Sequence, residues 1–63
     1  MECKERIEKA VSNLVRKNQA LIVRHYDGYV ILAQDERDFQ TKVSKIQRGD
    51  TLGFYTVESA LSI

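Results

Sequence analysis

The chain has 63 residues, enough for one domain, and its 43% of hydrophobic residues exclude a disordered chain, which would be too poor in apolar side chains to form a core. Ten basic residues against nine acidic ones leave a formal charge of +1, so the chain lacks the positive excess of proteins held to DNA mainly by its phosphates. No apolar run approaches the ~18 residues of a membrane span, which excludes a transmembrane protein.

The N-terminus carries the only cysteine, Cys3, so an intramolecular disulfide is excluded. The first residues are charged and are not a short basic lead into an apolar stretch, which argues against a signal peptide. We therefore predict a single small domain over residues 1–63, located in the cytoplasm.

The first segment predicts an amphipathic helix over residues 3–17. Its apolar residues recur at intervals of three and four, as on one face of a helix, and they are Cys3, Ile7, Ala10, Val11, Leu14 and Val15. Asn18 can take the left-handed conformation that ends a helix. The helix has neither the aromatic anchors nor the strongly cationic face of a membrane-surface helix, so we expect it to pack on the core.

The next stretch predicts a β-hairpin. The β-prone runs 20–26 and 29–34 flank Asp27-Gly28, and such a two-residue turn pairs Tyr26 with Tyr29. Side chains alternate between the two faces of a sheet. One face then holds Leu21, Val23, His25, Val30, Leu32 and Gln34. The other holds Ala20, Ile22, Arg24, Tyr26, Tyr29, Ile31 and Ala33.

Both faces of this hairpin are largely apolar, and one helix can cover only one of them. The second face needs a cover, which could be the second half of the chain, a second copy or another protein. Two-fold packing of identical faces is the commonest way for a short chain to bury such a surface. We therefore predict a homodimer, with a dimer or partner-binding face formed by Ile22, Arg24, Tyr26, Tyr29 and Ile31.

A second helix is predicted over residues 36–47. Asp35 fits its cap, Gly49 fits its end, and apolar residues follow at helical spacing, namely Phe39, Val43 and Ile46. The segment 40–46 is also rich in Thr, Val and Ser, so a strand is the open alternative.

Residues 51–58 predict a third strand, which the tail 59–63 could extend because its apolar residues alternate. The predicted fold is α+β: an N-terminal helix, a β-hairpin, a second helix and a third strand. These would form a small three-stranded antiparallel sheet with the helices on one face and the third strand beside the first, in the order 2-1-3. The alternative is a small β-barrel behind an N-terminal helix.

Few residues of this chain are suited to catalysis or metal binding. One His and one Cys cannot supply the three or four protein ligands of a zinc site, and the glycines at 28, 49 and 53 are too far apart for a phosphate-binding loop. A chain of this length also has little room for a substrate pocket. We predict that the protein is not an enzyme and binds no metal or cofactor.

A basic and aromatic cluster lies at the predicted hairpin tip and consists of Arg24, His25, Tyr26 and Tyr29. Tyrosines on a sheet can stack bases while basic side chains contact phosphate. Possible nucleic-acid contacts are therefore Arg24, His25, Lys42, Lys45 and Arg48. Tyr and Arg are equally the preferred anchors of protein interfaces, and cross-strand tyrosines also simply stabilise hairpins.

Two functional hypotheses remain at this stage. The first is a small intracellular interaction module, predicted to be homodimeric, that regulates or inhibits a larger protein by binding it, as phage and viral regulators of this size do. The second is a nucleic-acid-binding regulator that uses the hairpin tip and the basic second helix. Neither hypothesis involves a membrane.

Overall fold

The computed structural model describes residues 3–19 and 21–63. Within these ranges the chain forms three helices and three strands: α1 (Lys4–Lys17), β1 (Ile22–Tyr26), β2 (Tyr29–Ala33), α2 (Glu36–Gln47), β3 (Tyr55–Thr56) and α3 (Val57–Leu61). The strands form an open antiparallel sheet in the order β1-β2-β3. The α+β class with N-terminal helix, hairpin, second helix and third strand is confirmed, whereas the alternative barrel is not formed.

α1 lies where its apolar periodicity predicted a helix, but it ends differently. Asn18 has a φ of −131°, which is not left-handed. Its backbone N–H and its side-chain amide both donate to the carbonyl of Leu14, at 2.9 and 3.2 Å. The side chain of Asn18 thus satisfies the end of the helix without the expected left-handed turn.

The hairpin has the predicted register, with Tyr26 opposite Tyr29. Asp27 and Gly28 have φ values of 49° and 82°, as a two-residue hairpin turn requires. The N–H of Gly28 also donates to the Nε2 atom of His25 at 3.1 Å, which braces the turn from one face of the sheet.

Replacing Gly28 by valine is expected to destabilise the protein by about 1–3 kcal/mol, because a β-branched residue is strained at positive φ. Crowding is not the cause, since no atom of the described residues beyond the chain neighbours of Gly28 lies within 4 Å of an added Cβ. Thermal unfolding of the wild type, Gly28→Val and Gly28→Asn measures the effect, because asparagine tolerates positive φ better than valine does. Equal midpoints for the wild type and both variants would contradict the turn.

The helices lie on opposite faces of the sheet, which corrects the prediction that they share one face. α1 and α3 pack on the face of Val23, Val30 and Leu32, and α2 packs on the face of Ile22 and Ile31. The reason is that both faces of the hairpin are apolar, so the chain buries more apolar surface when each face receives its own helix.

β3 lies beside β2 and not beside β1, and it is shorter than the predicted strand 51–58. The side-chain hydroxyl of Thr56 accepts a hydrogen bond from the Ser59 N–H at 3.0 Å, while the Ser59 hydroxyl accepts from the Thr56 N–H at 2.9 Å. This reciprocal capping starts a helix at Val57, so the end of the predicted strand is helical and the tail 59–63 does not extend it.

α3 closes the core on the α1 side of the sheet. Val57 and Ala60 are buried there against α1. The buried amide of Asn13 donates to the Ala60 carbonyl at 3.1 Å and its oxygen accepts from Arg16 at 2.7 Å, so both polar atoms have partners. None of the helices that the structure describes is both long and apolar enough to cross a bilayer.

Candidate interaction site

The face predicted to bind a second copy is covered by α2. Ile31 is 0% exposed and packs with the apolar stripe of that helix, while Ile22, Tyr26 and Tyr29 lie partly buried around it. The uncovered apolar face from which the homodimer was predicted is therefore not present, because the second half of the chain supplies its cover. Ile31 cannot contact a partner in this fold.

Arg24 and His25, adjacent in sequence, lie on opposite faces of the sheet. The guanidinium of Arg24 forms a two-pronged ion pair with Glu36, with one nitrogen–oxygen distance of 2.9 Å, and lies 5.1 Å from the centre of the Phe39 ring. His25 instead lies toward α1, beside Ile7. The charge of Arg24 is thus engaged by Glu36, although both residues border one groove between α1 and β1.

The two tyrosines of the hairpin tip take part in packing with the second half of the chain. The hydroxyl of Tyr26 accepts a hydrogen bond from Gln47 Nε2 at 3.1 Å. The ring of Tyr29 meets Phe54 edge to face, with 6.4 Å between the ring centres. Both tyrosines are partly buried, which leaves less of each ring accessible for bases to stack on.

Lys42 is engaged at the outer edge of β2, in the part that β3 does not cover. Its ammonium donates to the Leu32 carbonyl and forms a 3.0 Å ion pair with Asp38. The Asp38 carboxylate also accepts from the Gln34 N–H at 3.1 Å. The Gln34 hydrogen bond, followed by that of Lys42, lowers the pKa of Asp38 below its usual 3.8. Asp38 and Lys42 of α2 thus form hydrogen bonds with backbone groups of Gln34 and Leu32 and block this part of the β2 edge.

The ion pair at the β2 edge predicts a pH dependence of stability. Because folding lowers the pKa of Asp38, its carboxylate stabilises the fold above pH 3.8, and this contribution is lost as the pH falls below that value through the folded-state pKa. Asp38→Asn is expected to lower the melting temperature at about pH 7 and to lower it less at about pH 2.5.

The control for this pH series is Glu58→Gln, which removes an exposed carboxylate that has no ion pair among the described residues. Its melting temperature should stay close to that of the wild type at both pH values. A deficit of Asp38→Asn that is equal at the two pH values would contradict the role of the carboxylate.

Lys45 and Arg48 complete the predicted nucleic-acid contacts. Lys45 is partly buried beside a cavity at the β2 edge, and Arg48 is exposed at the end of α2, 3.9 Å from Asp50. The structure thus brings Lys42 and Lys45 together, but it places Arg24 and His25 elsewhere.

The outer edge of β1 is a feature that the sequence reasoning missed. With Tyr26 paired to Tyr29 across a two-residue turn, the even-numbered residues of β1 bond to β2, and the N–H and C=O groups of Val23 and His25 point outward. Within residues 3–19 and 21–63, no backbone or side-chain group forms a hydrogen bond with these groups. The strand also has no proline and no bulge, which are common ways to block such an edge.

An open groove of about 670 Å³ lies beside this edge, between α1 and β1. Its lining residues are Ile7, Glu8, Val11, Ser12, Arg24 and His25. Ile7 and Val11 are partly buried and contribute apolar surface, whereas Glu8 and Ser12 are exposed and polar. The free edge and the groove together can accept an extended chain, whose backbone would bond to β1 while its side chains enter the groove.

Comparison with protein-family models, curated proteins and solved structures finds no match to this chain. In the part of the chain that the structure describes, no three His, Cys, Asp or Glu side chains lie close enough together to hold a metal ion. The candidate site is therefore defined by the geometry of the β1 edge and its groove.

Proposed function

We propose that this protein is a small interaction module that binds an extended segment of a larger protein as an added strand along β1. The observation that carries the proposal is the pair of outward-facing backbone positions, Val23 and His25, that have no partner among the described residues. In binding of this kind, main-chain hydrogen bonds supply affinity and pockets for alternate side chains supply specificity.

The surroundings of β1 suggest which segment would fit. A strand added outside β1 would direct its side chains alternately to the two faces of the sheet. On the α1 face they would meet Ile7 and Val11, which favour apolar side chains. On the α2 face they would meet the exposed ion pair of Arg24 and Glu36, which favours polar ones. The proposed ligand is therefore an extended segment in which apolar and polar residues alternate.

Nucleic-acid binding is less favoured by this geometry. Arg24 and Lys42 are already paired with carboxylates of their own chain, and the tyrosines of the tip pack against the second half of the chain. A ligand phosphate would have to compete with Glu36 and Asp38 for these cations. The second hypothesis would regain support from binding to single-stranded nucleic acid that weakens steeply as salt is raised.

The decisive variant is Val23→Pro, because it removes an outward-facing N–H and leaves the hydrogen bonds between β1 and β2 in place. Val23→Ala is the matched control: it also loses the valine side chain but keeps the N–H. Both variants lose some packing against α1, so their folding is compared first, by circular dichroism and thermal unfolding.

The binding assay uses linear peptides selected on the wild type from a displayed random library. We expect enriched peptides with alternating apolar residues that bind wild type and Val23→Ala similarly, and Val23→Pro at least about tenfold more weakly. On binding, the amide protons of Val23 and His25 should become protected from exchange in NMR spectra. A library that yields no binder, or peptides that bind folded Val23→Pro equally well, would contradict the proposal.

A further inference from the structure

Leu52 is an apolar side chain that is exposed to solvent. It is 97% exposed, on the loop between α2 and β3. Gly49 and Gly53 on either side have φ values of 83° and 88°, and the N–H of Phe54 donates to the Thr51 carbonyl at 3.1 Å. These turns give the loop a defined shape and project Leu52 outward.

A cavity of about 280 Å³ opens directly beside Leu52, at the outer edge of β2 where β3 ends. Its apolar walls come from Val30, Leu32, Phe54 and Tyr55, and its polar groups from Lys42, Lys45 and Asp50, while Leu52 and Gly53 of the loop border it as well. Deleting a leucine side chain from a protein core leaves a void of roughly 150 Å³, so a cavity of this size can take one leucine. Leu52 itself is too exposed to occupy it.

The surface around Leu52 is self-complementary. We call it the Leu52 patch, defined as Leu52 together with the residues that line this cavity. A projecting apolar side chain and a cavity for it lie next to each other, which is what a two-fold contact between identical surfaces requires. The charges match in the same way. Lys45 and Asp50 both border the cavity, and no ion pair joins them among the described residues. Asp50 lies 3.9 Å from Arg48, but both side chains are exposed, and an ion pair of this kind contributes little. A two-fold contact that sets Lys45 of one copy against Asp50 of the other forms this pair twice.

We propose that two copies of this chain associate through the Leu52 patch. Leu52 of each copy enters the cavity of the other, and Lys45 of each copy pairs with Asp50 of the other. This dimer differs from the one predicted from the sequence, whose face is covered by α2. It leaves the β1 edge free and does not rest on the proposed function. The patch is small, and interfaces below about 1,200 Å² bind weakly, so the dimer is in exchange with the monomer.

Sedimentation equilibrium over about 10 µM to 1 mM tests the dimer. We expect the wild type to dimerise as its concentration rises and Leu52→Ser to dimerise at least tenfold more weakly, with an unchanged melting temperature in dilute solution. The control is Val15→Ser, which removes another exposed apolar side chain, in α1, and should behave as wild type. A wild type that stays monomeric, or a Val15→Ser variant that weakens as much as Leu52→Ser, overturns the proposal.

Charge reversal tests the pairing within the dimer. Lys45→Asp and Asp50→Lys should each weaken self-association, because each places like charges on both sides of the axis. An equimolar mixture of the two variants should restore it, because every pair across the interface is then of opposite charge. Arg37→Asp, an equal charge change on an exposed position of α2, should leave the dimer intact. A mixture that stays monomeric overturns the pairing.

Val23→Pro separates this proposal from the proposed function. The folded variant should lose peptide binding along β1 and keep the dimer, whereas Leu52→Ser should lose the dimer and keep peptide binding. A Val23→Pro variant that is monomeric would show that self-association runs through β1, and would overturn the Leu52 patch as the contact.

Discussion

Leu14→Ala is expected to lower the free energy of unfolding by about 2–5 kcal/mol. Leu14 is 0% exposed and belongs to the core cluster that joins α1, β2 and α3, with Val30, Val57 and Ala60 around it. Truncation removes the transfer free energy of the side chain and leaves a cavity that the sheet above it cannot fill without moving. Domains of this size have a total stability of only a few kcal/mol, so the variant should be partly or wholly unfolded at room temperature.

Urea denaturation followed by circular dichroism measures this loss. Val15→Ala is the matched control, since Val15 is the next residue of the same helix but lies 42% exposed. Its free energy of unfolding should change by no more than about 0.5 kcal/mol. If the two alanine variants unfold at the same urea concentration as the wild type, α1 does not dock on the sheet as described.

Ile31→Lys is expected to unfold the protein, and it separates the sequence-based dimer from the structure. If the face of Ile31 were a dimer contact, the variant would be a folded monomer. In the structure Ile31 is 0% exposed beneath α2, so the lysine would bring an unpaired ammonium into an apolar core. An uncompensated buried charge of this kind costs about 3 kcal/mol or more.

Ile31→Val is the control for this variant, because it shortens the side chain without adding a charge and should cost about 0.5–1.5 kcal/mol. Circular dichroism and sedimentation are measured on all three proteins. A folded, monomeric Ile31→Lys with the melting temperature of the wild type would contradict the cover by α2 and restore the predicted dimer face.

The elements that the sequence predicted correctly depend on local signals. The apolar spacing of α1 and the Asp27-Gly28 turn each lie within a few residues of the structure they specify. The signal that starts α2 is also local. The Asp35 side chain accepts a hydrogen bond from the Asp38 N–H at 2.8 Å, as the position of Asp35 before the helix predicted. The tail was misread because five residues fit both a strand and a helix, and the Thr56–Ser59 cap decided for the helix.

The candidate sites were harder to predict, because the pairing of the charged residues depends on contacts between elements. Arg24 was expected to be free for a ligand, yet it pairs with Glu36 twelve positions along the chain. The β1 edge could not be found at all, since a strand is an edge only by virtue of the strand order. The predicted order 2-1-3 put β1 in the centre of the sheet, whereas β3 in fact pairs with β2.

The sequence by itself determined α1, the hairpin and its register, because periodicity and turn residues act over one or two turns of chain. It favoured a helix for α2 but left a strand open, and the structure has the helix. It also determined that the hairpin has two apolar faces, since alternation in a strand assigns each side chain to a face. Only the tertiary structure decided which helix covers which face and which strand keeps a free edge. Those choices depend on which packing of the whole chain buries most apolar surface, and two faces of similar apolarity leave that choice open in the sequence.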